Sequence, residues 1–238
     1  MAHTGLDHFG ARTLGDFSAS RRPVVLLHGF ASTPATLAFL ARYVSHQLNR
    51  RVLRPSLGFG WGDLSTAAQQ VAAAIAAARF DEVDVVGHSL GGLVATELLK
   101  SVDRGSRVRR VITLGTPHAG VPVARFAAMA TLGLSPSMRQ LVPGSRFLAR
   151  LAERAVPKGS QLVAISGSAD TLVPERSSWL SVAPRQCFLR LRNMGHMQLV
   201  FHGDSLRLVG ELLGAPNTLA PSFLPVWHRR LEVGNGRS

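Results

Sequence analysis

Hydrophobic residues along the chain fall into short unbroken runs, separated by longer stretches with helical spacing. Val24-Val25-Leu26-Leu27, between Pro23 and His28-Gly29, is too short for a helix and has no polar face, so it predicts a strand buried on both sides. Ser32-Thr33-Pro34 then offers an N-cap and a helix-starting proline, and Leu37, Leu40, Ala41 and Val44 share one face of a helix over about 36–48. A short strand follows at Arg51-Val52-Leu53-Arg54-Pro55, then a glycine-aromatic loop at 58–62. Asp63 or Ser65 can cap an alanine-rich helix running to about Arg79. Further strands are predicted at 82–86, 108–114, 161–166 and 187–191. Helices are predicted from Ser89 to about Val102 and from Ser205 to Leu213. Strands alternating with helices through about six strands define an α/β chain with a mostly parallel sheet and helices on both faces.

Two regions depart from this rhythm. Residues 118–158 carry small and apolar residues at helical spacing, interrupted by Pro122, Pro136, Pro143 and Pro157. The stretch is too long for a plain loop and predicts inserted helices forming a small cap. Residues 214–238 contain three prolines and no clear period, so an extended or partly ordered tail is expected. The division expected is therefore a leader at 1–22, one domain at 23–213 with its cap insertion at about 118–158, and a tail at 214–238.

Composition narrows the function classes. Of 238 residues, 46% are hydrophobic and 17% charged, which suits a packed domain rather than a disordered chain. The formal net charge of +13 invites a nucleic-acid reading. The basic residues, however, are nearly all arginines spread along the chain. Their densest clusters are pairs, no nucleic-acid motif accompanies them, and a single tyrosine is available for stacking. Dispersed solvated arginine is expected, with weak peripheral attraction to anionic membranes as the further partner class. The single cysteine, Cys187, excludes an intramolecular disulfide and is expected to be buried and inert. No Cys/His cluster has zinc spacing, and neither a metal nor a cofactor is expected. No signal-like apolar segment or membrane-length run is visible, so a cytoplasmic location is the default expectation, with secretion of a trimmed form left open.

The chemistry centres on Val83 to Ala95: a buried strand, then Gly87-His88-Ser89-Leu90-Gly91, then a helix. This is the G-x-S-x-G pattern in its strand-turn-helix context. A side chain at the apex of so sharp a turn strains the backbone and brings strand and helix close enough that only small residues fit beside it. It also lies at a helix N-terminus, where N–H groups stabilise negative charge. Two more groups follow strand ends, Asp170 in Gly167-Ser168-Ala169-Asp170 and His196 in Asn193-Met194-Gly195-His196. A serine hydroxyl needs an imidazole to take its proton, and the imidazole needs a carboxylate to orient it. The chain order Ser, Asp, His fits that set. Asp204 is the runner-up acid, better suited to an N-cap. His202 is the competing base, better suited to solvent or a cap. Candidate oxyanion donors are the backbone amides of Leu90 and Phe30. His28 and His118 line the site or brace its loops.

These pieces resemble the α/β-hydrolase superfamily, and within it bacterial lipases and esterases. The resemblance rests on His28-Gly29-Phe30, Gly87 to Gly92, Leu114 to Gly120, Gly167 to Pro174 and Gly195-His196, and it spans about residues 23 to 213. The Thr116-Pro117-His118-Ala119-Gly120 stretch narrows it toward lipase-like members, and Met138 to Ser145 looks like part of a cap in such proteins. The resemblance implies the α/β-hydrolase fold, a triad of Ser89, Asp170 and His196, and an oxyanion hole at Phe30 and Leu90. The missing export signal and disulfide depart from secreted lipases.

The expected activity is serine carboxylester hydrolysis through an acyl-enzyme, acting on an apolar acyl ester or lipid. The apolar stripe of Val121 to Leu134, with Phe126 and Met129, would serve as an acyl-facing wall or as plain core packing. The same triad also serves acyltransferases and thioesterases, and a non-catalytic binding protein on this fold is a third alternative.

Overall fold

In the computed structural model, which describes residues 22–122, 135–180, 186–215 and 231–233, each apolar run lies in one sheet. Strands β1 (Val24–Leu27), β2 (Val52–Leu53), β3 (Val83–His88), β4 (Val108–Leu114), β5 (Gln161–Gly167) and β6 (Gln186–Leu191) are joined by parallel pairings. A seventh, β7 (Leu231–Val233), runs antiparallel on β6, and the order is β2-β1-β3-β4-β5-β6-β7. The six parallel strands are those the hydrophobic runs predict. The seventh has only three residues, with a glutamate at its centre, and leaves no periodic signal.

Helices cover both faces. A helical segment opens tightly wound at Pro34–Leu37, continues as α1 (Ala38–Arg42) and ends in a widened turn at Tyr43–Gln47. Then come α2 (Leu64–Ala77) and α3 (Leu90–Glu97), the latter extended by a widened turn at Leu98–Asp103. Helices α4 (Pro136–Gln140) and α5 (Arg146–Glu153) lie between β4 and β5. Helix α6 (Glu175–Ser178) follows β5, and α7 (Gly203–Gly214) follows β6. The strands sort their side chains by alternation. Val25, Leu27, Val83 and Val85 pack with α2, α3 and α5, whereas Val24, Leu26 and Val86 pack with α1 and α7. A strand buried on both faces is apolar at most positions, which is why these runs show no period of two.

Two cap assignments are resolved. Asp63, not Ser65, caps α2, its carboxylate accepting from the Thr66 amide at 2.8 Å. At α7 the cap is His202, whose Nδ1 accepts from the Asp204 amide, and Asp204 instead lies in the first turn paired with Arg207.

The arginines are not all solvated. Asp84 on β3 is fully buried and paired with Arg50 at 2.6 Å and Arg22 at 3.2 Å. Arg110 on β4 is also fully buried and donates to Gln161 and to the carbonyls of Leu212 and Ala215. Burial pushes its pKa down to about 10. These groups lie toward the starts of β3 and β4 and tie the sheet to the end of α7. Cys187 is half-buried, and burial raises its thiol pKa. Among the described residues, no helix is long and apolar enough to cross a membrane.

The chain order sets the position of the site. From β1 the chain moves outward to β2, then crosses back to place β3 on the other flank of β1. Connections therefore leave β1 and β3 in opposite directions, opening a crevice at their carboxyl ends. Leu27 pairs with Gly87 there, so Gly29-Phe30 and Ser89 emerge side by side.

Candidate active site

Ser89 sits between β3 and α3 with φ 55° and ψ −125°, a conformation that L-residues rarely adopt. Three hydrogen bonds hold it there. Its amide donates to Leu114 O at 2.9 Å, and its carbonyl accepts from the Gly92 amide and from Thr116 Oγ1, each at 3.0 Å. Gly87 is required by close approach, since a Cβ there would fall 2.5 Å from Gly91 O and 2.6 Å from Gly92 Cα. Leu90 is the first residue of α3, so its amide has no acceptor within its own helix. The Ser89 hydroxyl makes no hydrogen bond among the described residues.

The loops after β5 and β6 bring Asp170 and His196 together, with His196 Nδ1 2.7 Å from Asp170 Oδ2. The carboxylate side chain is fully buried and the imidazole nearly so. The other carboxylate oxygen accepts from the Leu172 and Val173 amides at 3.0 and 2.8 Å. Because a carboxylate accepts, His196 Nδ1 carries a proton, so in the neutral tautomer Nε2 is the acceptor. Gly115, at φ 55°, underlies the pair: a Cβ there would lie 3.0 Å from both Asp170 Oδ2 and His196 Nδ1. The two loops are also clasped through the backbone, Ala169 N donating to Met194 O at 3.1 Å.

His88 is the contact that sequence reasoning missed. Its position beside Ser89 sets it aside as a base, yet its ring lies 4.5 Å from the His196 ring and its Nε2 is 3.2 Å from His196 O. A carbonyl only accepts, so Nε2 carries the proton and Nδ1 is a bare acceptor. That Nδ1 is buried and has no partner among the described residues. Burial, reinforced by His196, pushes the His88 pKa down to about 3. The two histidines lie 108 positions apart, and no spacing pattern could have joined them.

His28 and His118 have local partners. His28 Nε2 accepts from the Leu57 amide at 3.0 Å, which leaves Nδ1 to donate to Gly29 O at 2.9 Å. Both nitrogens thus hold backbone, bracing the end of β1 against the loop after β2, and desolvation lowers this pKa. His118 Nε2 bonds Thr113 Oγ1 at 3.1 Å, and burial, then Lys100, hold its pKa down. The Phe30 ring packs edge-on against Trp61 at 5.1 Å. Phe126 and Met129 lie outside the described residues.

Helix α4 is latched to the loop that carries Trp61. Gln140 accepts from the Leu64 amide at 2.9 Å and donates to Asp63 at 2.6 Å, while Ser137 Oγ donates to Gly60 O at 2.5 Å. Sequence gives Gln140 no distinguishing mark; only the folded chain brings it 77 positions back to Asp63. Among the described residues, no group of three His, Cys, Asp or Glu side chains could hold a metal ion.

A doubly covered parallel sheet with a strained serine turn and an Asp-His pair at its carboxyl end defines an α/β-hydrolase fold. The model of the alpha/beta hydrolase family matches residues 24–231, and the chain belongs to that family. Solved structures share the fold at low identity. A Bacillus licheniformis lipase in mature form is 17% identical, with a TM-score of 0.66 over 81% of this chain and 91% of that one. A Paleococcus ferrophilus monoacylglycerol lipase is 18% identical, with a TM-score of 0.60 over 81% and 95%. A Bacillus anthracis bromoperoxidase is 13% identical, with a TM-score of 0.63 over 81% and 91%. At such identities these likenesses speak for the fold.

Proposed function

We propose that the protein is a serine carboxylester hydrolase for apolar acyl esters, with Ser89 as nucleophile, His196 as base and Asp170 as its orienting acid. The observation that carries this reading is the 2.7 Å contact between His196 Nδ1 and Asp170 Oδ2, which fixes the ring so that the neutral tautomer offers Nε2 as the base. In this mechanism Ser89 Oγ attacks the ester carbonyl carbon as its proton passes to His196 Nε2. The resulting oxyanion is received by the amides of Leu90 and Phe30. Collapse of the tetrahedral species breaks the ester C–O bond, and the alcohol leaves with the proton from His196. Water then repeats the attack, releasing the acid and restoring Ser89. No hydrogen bond joins the Ser89 hydroxyl to His196 among the described residues, and catalytic hydrogen bonds often tighten only when substrate is bound.

The apolar-substrate part rests on the loops around the site. Trp61, Leu172 and Met197 are large apolar side chains exposed to solvent, and they come from the Phe30, Asp170 and His196 neighbourhoods respectively. The test compares wild type and Ser89→Ala on p-nitrophenyl esters of increasing acyl length, with fluorophosphonate labelling in parallel. Loss of hydrolysis by on the order of a thousandfold or more, with loss of labelling, is expected. Hydrolysis that survives the substitution overturns the mechanism, and a strong preference for the shortest acyl chain overturns the apolar-substrate assignment.

A further inference from the structure

A cavity that Ser89 does not line lies between the start of α2 and helices α4 and α5. It has a volume of about 460 Å³, and Asp63, Ser65, Arg139, Gln140, Arg146 and Arg150 are among its lining residues. Arg146 and Arg150 are four apart on α5 and so share one face, while Arg139 comes from α4. Their charges are not equally committed. Arg150 reaches Ser65 Oγ at 3.2 Å and the buried Glu97 carboxylate at 3.4 Å. The guanidinium groups of Arg139 and Arg146 have no hydrogen bond or ion pair among the described residues.

Among the described residues, the one carboxylate lining the cavity is already occupied. Asp63 accepts from the Thr66 amide on one oxygen and from Gln140 on the other. These bonds hold its pKa below the usual carboxylate value against the opposing effect of desolvation. Among the described residues, the cavity therefore presents two uncompensated guanidinium groups beside a third that is fixed in place. Planar guanidinium forks match phosphate oxygens in pairs. Two free positive charges balance the two negative charges of a phosphate monoester. The volume leaves room beyond the phosphate for an organic portion, with Phe147 and Pro136 also lining the cavity. The first turn of α5 lines the same wall, and its dipole adds to the positive potential.

We infer that this cavity is a binding site for a phosphate-monoester anion, free or as a lipid headgroup. It shares no residue with the proposed triad, so binding and ester hydrolysis succeed or fail independently. The test titrates the whole protein with phenyl phosphate by calorimetry, and with vesicles containing phosphatidic acid by co-sedimentation. Arg139→Gln/Arg146→Gln is compared with Arg42→Gln/Arg54→Gln, which removes the same charge from exposed arginines elsewhere.

Saturable one-to-one binding of phenyl phosphate, weakened at least tenfold in the first double variant and kept in the second, is expected. Vesicle binding with that same dependence, but no binding of phenyl phosphate, supports the site with a lipid headgroup as its ligand. Absence of both kinds of binding overturns the inference, as does binding lost equally in the two double variants. All the residues changed are exposed, so unchanged thermal unfolding and ester hydrolysis serve as controls for folding.

Discussion

Ser89 carries its cost in its own backbone. A non-glycine residue in this conformation stores on the order of 1–3 kcal/mol, here held by the Leu114, Gly92 and Thr116 bonds. Ser89→Gly should therefore be more stable than Ser89→Ala by about 1 kcal/mol, since glycine adopts positive φ without that penalty. Urea unfolding of the two variants measures this; equal midpoints would show that the turn stores no strain. Asp170 acts through its geometry. In Asp170→Asn the amide can donate to His196 Nδ1, which favours the wrong tautomer and leaves Nε2 protonated. A drop in kcat on the order of 10³–10⁴-fold with KM changed far less is expected from steady-state kinetics. A matching rise in KM would instead mean that substrate binding was lost.

At the scale of elements, the site is assembled by loops that individual strands hold in place. The turn after β3 fixes the serine, and the loops after β5 and β6 clasp each other. The short helix α4 is held by Gln140 and Ser137 against the loop after β2. Gln140→Ala would leave the Leu64 amide without its side-chain acceptor and Asp63 Oδ2 without the Gln140 donor, while Asp63 Oδ1 keeps the Thr66 amide; the cost should be about 1–3 kcal/mol. Chemical denaturation should show that loss, and activity should fall through KM as the Trp61 loop loosens. A variant with unchanged stability would show that α4 is held by packing alone.

Across the whole molecule, the buried histidine ties stability to acidity. His88 is neutral in the folded chain with its pKa pushed down to about 3, whereas in the unfolded chain it titrates near 6.5. Below pH 6.5 the unfolded chain therefore binds a proton that the folded chain refuses. The contribution is complete above that pH and declines as pH falls toward 3. Between pH 7 and 4.5, stability should drop by on the order of 2 kcal/mol from this residue. His88→Phe should lose correspondingly less of its own pH 7 stability over the same interval, as read from urea midpoints. An identical decline in both proteins would place the acid sensitivity elsewhere. Asp84, held by Arg22 and Arg50 near the starts of the strands, belongs to the same scale: a buried carboxylate that the fold tolerates because it is paired twice.

The sequence by itself determined what depends on local order. Apolar runs fix which segments are strands, because a strand covered on both faces has no solvent-facing side to demand a polar alternation. The glycines around Ser89 fix the turn, because nothing larger fits between β3 and α3. Only the tertiary structure decided what depends on distant residues meeting. It paired His196 with Asp170, laid His88 against His196, and brought Gln140 to Asp63. It turned Arg50 and Arg110 inward, where charge counts alone suggested solvent. It also added the antiparallel strand at Leu231–Val233, whose three residues carry no pattern until β6 offers them an edge. Periodicity records what each segment buries. Which polar groups meet across the sheet is set by strand order and loop path, and neither leaves a repeat in the chain.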